Sequence, residues 1–317
     1  MEVDENSQTT AAIIFDQERE GAFGNDTISP NLVHYCSCEA AKSIIESRSV
    51  YFNVSSGMND ISEIRWAFEF IKIEFNKIKE NDSRGYIILK NSLNLLNKNF
   101  NFNLETCFLF CLSEYACEDG SLSMWRAYGS DGNGCAIKFD GTALNSSPSS
   151  QFPISINKVH YLEIEELSQK VRILIANLIR QINLDYYIKS VENFELMISS
   201  KIFDLCASIK HPAFREENEI RLIYRHNYDT KPGRFPFRSV FIRGLSRPIV
   251  EVGMMNYEEF PGLELTMENI LSGIIIGPSQ HARLNELALR MSCMNAGIRP
   301  IPDNFFHQSR IPYRSPR

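Results

Sequence analysis

The sequence predicts an α+β fold: helices inserted between the strands of one split, mixed or antiparallel sheet. Two observations predict it. Short apolar runs bounded by turn residues, such as Cys107–Ser113 (CFLFCLS) and Gly134–Asp140 (GCAIKFD), read as strands. Between such runs lie longer stretches with apolar residues at helical spacing, the longest over Glu163–Ala207. The 317 residues suit one large domain or two modest ones. No repeat, low-complexity tract or clear linker interrupts them. The expected organisation is a polar lead over 1–27, then a single domain over 28–317 with helical insertions near 60–100 and 163–207.

The elements follow in order. The lead has one short apolar piece, Ala11–Phe15. Asn31–Tyr35 reads as a strand, with Val33 and Tyr35 on one face and Leu32 and His34 on the other. Glu39–Ser47 is a short helix and Val50–Val54 a second strand. Asp60 and Glu63 fit a capping box, and Ile64, Ala67, Phe68, Ile71 and Phe75 continue that helix. Residues 85–97 form another. The strands at 107–113 and 134–140 read as hairpin-linked, with Met124–Gly129 between them. Ser146–Pro153 is loop and Ile156–Tyr161 an edge strand. The run over 163–207 breaks into two helices near Asn183–Asp185. A strand spans 218–226, Lys231–Phe237 is loop, and Ser239–Ile242 and Ile249–Val252 are strands. Ile270–Ile276 is an apolar strand and Ala282–Ala296 a helix that Gly297 stops. Arg299–Pro302 reads as the last strand.

Composition narrows the function. The chain is 44% hydrophobic and 23% charged, ordinary for a globular protein with a sizeable core. A net charge of −6 gives no bulk attraction to nucleic acid or anionic membrane, although Arg215 to Arg247 is locally basic. The apolar runs are too short to span a bilayer. With an acidic, polar N-terminus, the eight cysteines are expected as reduced thiols in the cytoplasm. Cys36-Ser37-Cys38 and Cys107-x3-Cys111 match structural zinc spacing poorly, so no metal site is assigned to them.

The stretch with most chemical content is Glu217-x-Glu219-x-Arg221. On a strand these three share one face, with Ile220 and Leu222 opposite. Adjacent carboxylates in a cleft push each other's pKa values apart and suit acid–base work. An ion pair along an exposed edge explains the same row. Trp125-x-x-Tyr128 beside Gly129 can stack a planar ring or plug a sheet end. Ser113 can donate to a ligand from its strand end. Walker, dinucleotide-binding and nucleophile-elbow patterns are absent from the sequence.

Taken in order, His34-Tyr35, the Ser43-Ile44-Ile45 helix, Asn59-Asp60 with Glu63, Ser113, Trp125-x-x-Tyr128-Gly129 with Gly134 and Phe139, Glu217-x-Glu219-x-Arg221, and Ser309-x-Ile311-Pro312-Tyr313-Arg314 resemble the bacterial DUF2971 family, a family of unknown function. The resemblance spans residues 31–314. That family is in turn similar to the ADP-ribosyltransferase fold. The resemblance implies an ADP-ribosyltransferase-like core that takes NAD as substrate. It implies that His34, beside Tyr35, binds the adenine-side ribose, and that Ser113 lies on the serine-bearing middle strand. Glu219 would hold the nicotinamide ribose, with Glu217 as alternative or helper, and Arg221 would grip the pyrophosphate. The stacking aromatic is Tyr51 by order, or Trp125 or Tyr128 by neighbourhood. The sequence departs from the pattern in lacking a clear second-strand tyrosine motif.

Three functions follow as expectations. The first is ADP-ribose transfer to a protein or nucleic acid acceptor, or NAD hydrolysis, by a toxin or antiphage effector. The second is a metal-dependent nuclease or hydrolase using Asp60, Glu63, Glu217 and Glu219. The third is a non-catalytic subunit of a defence complex, binding nucleic acid or protein through Arg215–Arg247.

Overall fold

The computed structural model describes residues 5–313 apart from 26, 58–60, 146–151, 185–187, 230, 232, 243, 261 and 299–300. In chain order the strands are β1 (Asn31–Cys36), β2 (Ser49–Val54), β3 (Cys107–Glu114), β4 (Cys135–Asp140), β5 (Ile154–Lys158), β6 (His160–Tyr161), β7 (Ile209–Lys210), β8 (Glu219–Arg225), β9 (Phe237–Ile242), β10 (Leu245–Gly253), β11 (Leu271–Ile276) and β12 (Phe306–Gln308). The helices are α1 (Glu5–Phe23), α2 (Cys38–Ser47), α3 (Ile61–Asn76), α4 (Arg84–Lys98), α5 (Phe100–Thr106), α6 (Leu122–Ala127), α7 (Gly141–Asn145), α8 (Ile164–Leu184), α9 (Val191–Cys206), α10 (Met267–Ile270) and α11 (Ala282–Asn295). The fold is α+β, as the sequence indicates.

These elements form two compact units where the sequence suggests one domain after residue 28. The first comprises Met1–Thr27, Ser55–Cys107 and Val159–Phe214; the second comprises Ile28–Val54, Phe108–Lys158 and Arg215–Arg317. The segments read as helical insertions therefore build a unit of their own. The expected polar lead joins them, because Glu5–Phe23 is helix α1, packed on α8 and α9. Its buried stripe is narrow: Ser7, Ala11 and Phe15 recur every four residues and are fully buried, while Ile13 between them is exposed. That narrowness hides the helix from a search for apolar runs. Ser83 and Ser190 cap α4 and α9 by accepting from the amides of Tyr86 and Asn193. Glu74, 2% exposed, receives bonds from Lys77 at 2.6 Å and Arg172 at 2.7 Å. Burial alone would raise its carboxyl, but Lys77, Arg172 and Ser168 together outweigh burial and hold it at about 2.

The second unit contains a ten-stranded sheet. Its main path is β12-β11-β4-β1-β3-β2-β10-β9, with β8 on β3 and β5 on β8. β11 and β12 are parallel, whereas β4, β1, β3, β2, β10 and β9 pair antiparallel in succession. The strands β3 and β4, read as hairpin-linked, are separated by β1. Pairing with a strand almost eighty residues earlier leaves no local trace in sequence. In the ladder, β3 pairs with β1 at Ser113 and Glu114, and with β2 at Phe108 and Leu109. One sheet face carries the main core, with Leu32, Phe52, Phe110, Ile137, Ile220 and Ile274 under α2 and α11. The opposite face holds a smaller cluster of Val33, Tyr35, Met124, Trp125, Ala136 and Ile275, against which Tyr115 and Ile311 pack. A closing strand lies at Phe306–Gln308, whereas of the expected 299–302 residues 299–300 lie outside the described residues; Trp125 stands on a short helix, α6.

Candidate functional site

The smaller cluster supports a cleft of about 170 Å³ at the ends of β1 and β3. Tyr35, Ser113, Glu114, Tyr115, Cys117, Gly120, Ser121, Met124, Glu216 and Glu217 are among the residues lining it. Val33 lies opposite Ser113 in the ladder, so alternation puts Ser113 and Tyr35 on one face. Trp125 is fully buried; its indole donates to the Asp119 carbonyl at 2.9 Å and meets the Tyr35 ring edge-on at 4.8 Å. It is the plug beneath the cleft, and not a platform for a ligand. Gly120, with φ of +76°, carries the chain over that plug; a Cβ there would meet the Trp125 indole nitrogen and Tyr35 hydroxyl at 2.9 Å.

The tyrosine is held by its tip. The Ser121 amide donates to the Tyr35 hydroxyl at 3.0 Å, which leaves the phenolic proton to donate in turn. Burial raises the Tyr35 pKa above its ordinary value, more than the Ser121 bond lowers it. Asp119 braces the cluster from the other side. It accepts from His307 at 2.8 Å and from the Arg310 amide at 2.9 Å, and its carbonyl accepts from Ser309 at 2.7 Å. His307 first, then Arg310, hold its carboxyl well below the usual range. The Ser309–Tyr313 motif therefore folds against the same cluster as Tyr35 and Trp125. Arg314 lies outside the described residues.

The Glu-x-Glu-x-Arg row divides. Glu219 and Arg221 share a strand face, 5% and 0% exposed, and pair through two bonds of 3.1 and 3.0 Å. Their partner Ile220 points into the main core on the other face. Glu217 lies before the strand rather than on it. It ends a 3-10 turn, Pro212–Glu217, and Asn218 has φ of +42° before β8 begins. That left-handed residue breaks the alternation, and asparagine tolerates the conformation. The Asn218 carbonyl accepts from the Glu114 amide at 2.8 Å, anchoring the turn to the end of β3. Glu217 thus faces the cleft, where Tyr128, 48% exposed, donates to its carboxylate at 2.8 Å.

The remaining expected residues lie elsewhere. His34 is on the face opposite Tyr35 and does not line the cleft. Its Nδ1–H donates to the Cys111 carbonyl at 2.9 Å and its ring stacks on Phe110 at 4.5 Å. Burial lowers its pKa more than that bond raises it, so the neutral ring is favoured. Tyr51, half-buried on β2 opposite Glu251, does not line the cleft either. Asp60 and the Glu63 side chain lie outside the described residues. Among the described residues, no group of three His, Cys, Asp or Glu is placed to hold a metal ion. The basic span is divided: Arg221 and Arg225 are buried, Arg234 pairs with Asp229 and Glu259, and Arg215, Lys231 and Arg238 are exposed, Lys231 paired with Glu259 and Arg238 with Glu251. No described helix is long and apolar enough to cross a membrane. Sequence reasoning missed Glu114, Tyr115 and Glu216, whose only signal is adjacency to Ser113 and Glu217.

Comparison with known proteins gives one match. Residues 124–222 fit the profile of the family described as protein of unknown function DUF2971. No curated protein and no solved structure matches the chain. The matched segment carries Trp125, Tyr128, Gly134, Glu217, Glu219 and Arg221, while His34, Tyr35, Ser113 and the Ser309–Tyr313 segment lie beyond it. The chain is similar to DUF2971 over roughly one third of its length, from the plug of the cleft to the carboxylates at its rim.

Proposed function

We propose that the chain acts on NAD, releasing nicotinamide and passing the ADP-ribosyl group to a macromolecular acceptor or to water at the Tyr35–Ser113–Glu217 cleft. One observation carries this reading: two carboxylates, Glu216 and Glu217, line a cleft together with Tyr35, Tyr115 and Glu114, the last paired with Lys158 at 2.9 Å. Carboxylates and aromatic faces attract a planar cation. The nicotinamide ring of NAD is such a cation. A cleft this small takes one end of an extended ligand, since whole-ligand pockets run to ~300–1,000 Å³.

The chemistry follows from charge. As the glycosidic bond breaks, its electron pair leaves with nicotinamide and positive charge builds on the ribose. A fixed carboxylate beside that charge stabilises it. Glu217, steadied by Tyr128 and by the Asn218 turn, takes this role in the proposal. Glu219 is committed to Arg221 and acts structurally. The acceptor then bonds to the ribose carbon and its proton passes to solvent. The Tyr35 phenol, kept protonated by burial, is a donor for the departing amide or a ribose hydroxyl. A toxin or antiphage effector is the setting this activity would suit. The test is incubation of the full chain with NAD and chromatographic measurement of nicotinamide, comparing wild type with Glu217→Gln. Equal release by the two proteins, or none by either, sinks the proposal.

A further inference from the structure

We propose that the open edge strand β9 pairs with β9 of a second copy of this chain, antiparallel about Ser239, to make a two-fold symmetric dimer. β9 ends the main path of the ten-stranded sheet and, among the described strands, pairs with β10 alone. Its six residues, Phe237–Ile242, hold one unbroken register, from Phe237 opposite Val250 to Ile242 opposite Leu245. β12, at the far end of the path, has three residues. An open strand edge is a template for another strand, and proteins guard such edges with proline, bulges or charge. β9 contains no proline and no bulge, and its one charge, Arg238, is tied to Glu251 at 3.0 Å.

The ladder fixes which main-chain groups face outward. The Glu251 amide donates to the Pro236 carbonyl at 2.9 Å, one step beyond β9 in the same register, so that position is a hydrogen-bonded pair. Hydrogen-bonded and non-hydrogen-bonded pairs alternate along an antiparallel ladder. Arg238 and Val240 therefore turn their amides and carbonyls toward β10, at Ile249 and Arg247. Phe237, Ser239 and Phe241 turn theirs to the open edge. The side chains of these three also share one sheet face. On that face Phe237 is 49% and Phe241 78% exposed, and the Phe237 ring meets Phe108 at 5.6 Å and His226 at 4.7 Å.

This pattern is complementary to itself. A two-fold axis through Ser239 sets that residue against Ser239 of the partner subunit. It sets Phe237 against Phe241 of the partner subunit, and the reverse. Each of these pairs exchanges two main-chain bonds. Opposed rings at such positions pack across the strands, so the exposed Phe241 is covered by the partner's Phe237. On the other face Arg238 meets Val240 of the partner subunit, so like charges are not set directly opposite. A second β9 thus supplies the main-chain bonds and the aromatic pairs in one register. Pairing consumes the open β9 edge of both copies, so association stops at two. A strand pair about 20 Å long buries less than the roughly 1,200–2,000 Å² of a stable interface, so the dimer is a weak one in exchange with monomer.

The experiment is sedimentation velocity on the full chain over roughly 1–200 µM, the range of a weak complex. Wild type is expected to move from monomer to dimer as concentration rises, and no further. Ser239→Pro removes an N–H that faces the open edge and leaves the β9–β10 bonds in place. It is expected to weaken the dimer at least about tenfold with unchanged far-ultraviolet circular dichroism. Phe241→Lys, at an exposed site, tests the same edge without a backbone change and decides the matter if the proline variant misfolds. Residue-resolved amide exchange gives a second readout. Exchange at Phe237, Ser239 and Phe241 is expected to slow with concentration, while Arg238 and Val240 are slow at every concentration. A chain that stays monomeric throughout overturns the proposal. So does a dimer that survives undiminished in folded variants, or one that leaves the three outward amides unprotected.

Discussion

Replacing Glu219 by Gln keeps the shape of the side chain and removes its charge. Arg221 is then left as a guanidinium with no exposed surface, having lost the carboxylate that two bonds of 3.0 and 3.1 Å tied to it. Breaking one side of a buried pair costs about 3–5 kcal/mol, because the surviving charge stays desolvated. A unit of this size loses ~2–4 °C of Tm per kcal/mol, so the expected drop is roughly 6–20 °C. The double variant Glu219→Leu/Arg221→Met removes both charges and should be less damaging than Glu219→Gln alone. The assay is urea unfolding followed by tryptophan fluorescence. The chain has two tryptophans, Trp66 in the first unit and Trp125 in the second. A Trp66→Phe background therefore makes Trp125 the reporter for the unit that holds the pair. A loss below about 1 kcal/mol in Glu219→Gln, or a double variant whose loss equals the sum of the singles, refutes the structural role given to Glu219.

Other perturbations test other parts of the account. Gly134→Ala places a Cβ 2.2 Å from the Cys36 carbonyl oxygen, a backbone atom that cannot swing away. It should cost about 1–3 kcal/mol in the same unfolding assay. Glu74 has a depressed pKa, so its stabilisation is present above the unfolded value near 4.5 and fades as pH falls toward 2. Glu74→Gln should flatten this part of an acid titration of helical circular dichroism. At neutral pH it should cost about 1.5–3 kcal/mol, since the exposed Lys77 and Arg172 heads rehydrate. Tyr128→Phe removes one exposed bond to Glu217 and should lower NAD turnover several-fold while Tm stays within 1–2 °C, about the effect of a surface change. Asp119→Asn weakens the bonds to His307 and Arg310, and limited proteolysis should then cut near Arg310 faster than in wild type.

Regular elements with broad apolar stripes were legible in the sequence. The helix pair over 163–207 announces itself through residues such as Leu167, Val171, Leu174 and Leu178, all buried. α11 is marked by its stop at Gly297, which has φ of +78°. Helix α1 was not legible, because Ser7, Ala11 and Phe15 make a stripe too thin and too polar. The order of strands was not legible either, since β1 enters between β3 and β4 from far along the chain. At the site, Tyr35, Ser113 and Glu217 were read as candidates and do meet at one cleft. His34 was separated from it by the same alternation that places Tyr35 there. Glu217 and Glu219 were read as one strand row, whereas Glu217 ends the 3-10 turn before β8 and the left-handed Asn218 separates the two. An Asn between two carboxylates at a strand start was the available signal.

The central claim is that Glu217, and not the paired Glu219, is the working carboxylate of an NAD-cleaving cleft. The most direct measurement is the rate of nicotinamide release from NAD by wild type, Glu217→Gln and Tyr128→Phe, each with its Tm recorded. The account predicts release by wild type, its loss in Glu217→Gln at unchanged Tm, and an intermediate rate in Tyr128→Phe. Release that persists in folded Glu217→Gln would contradict it.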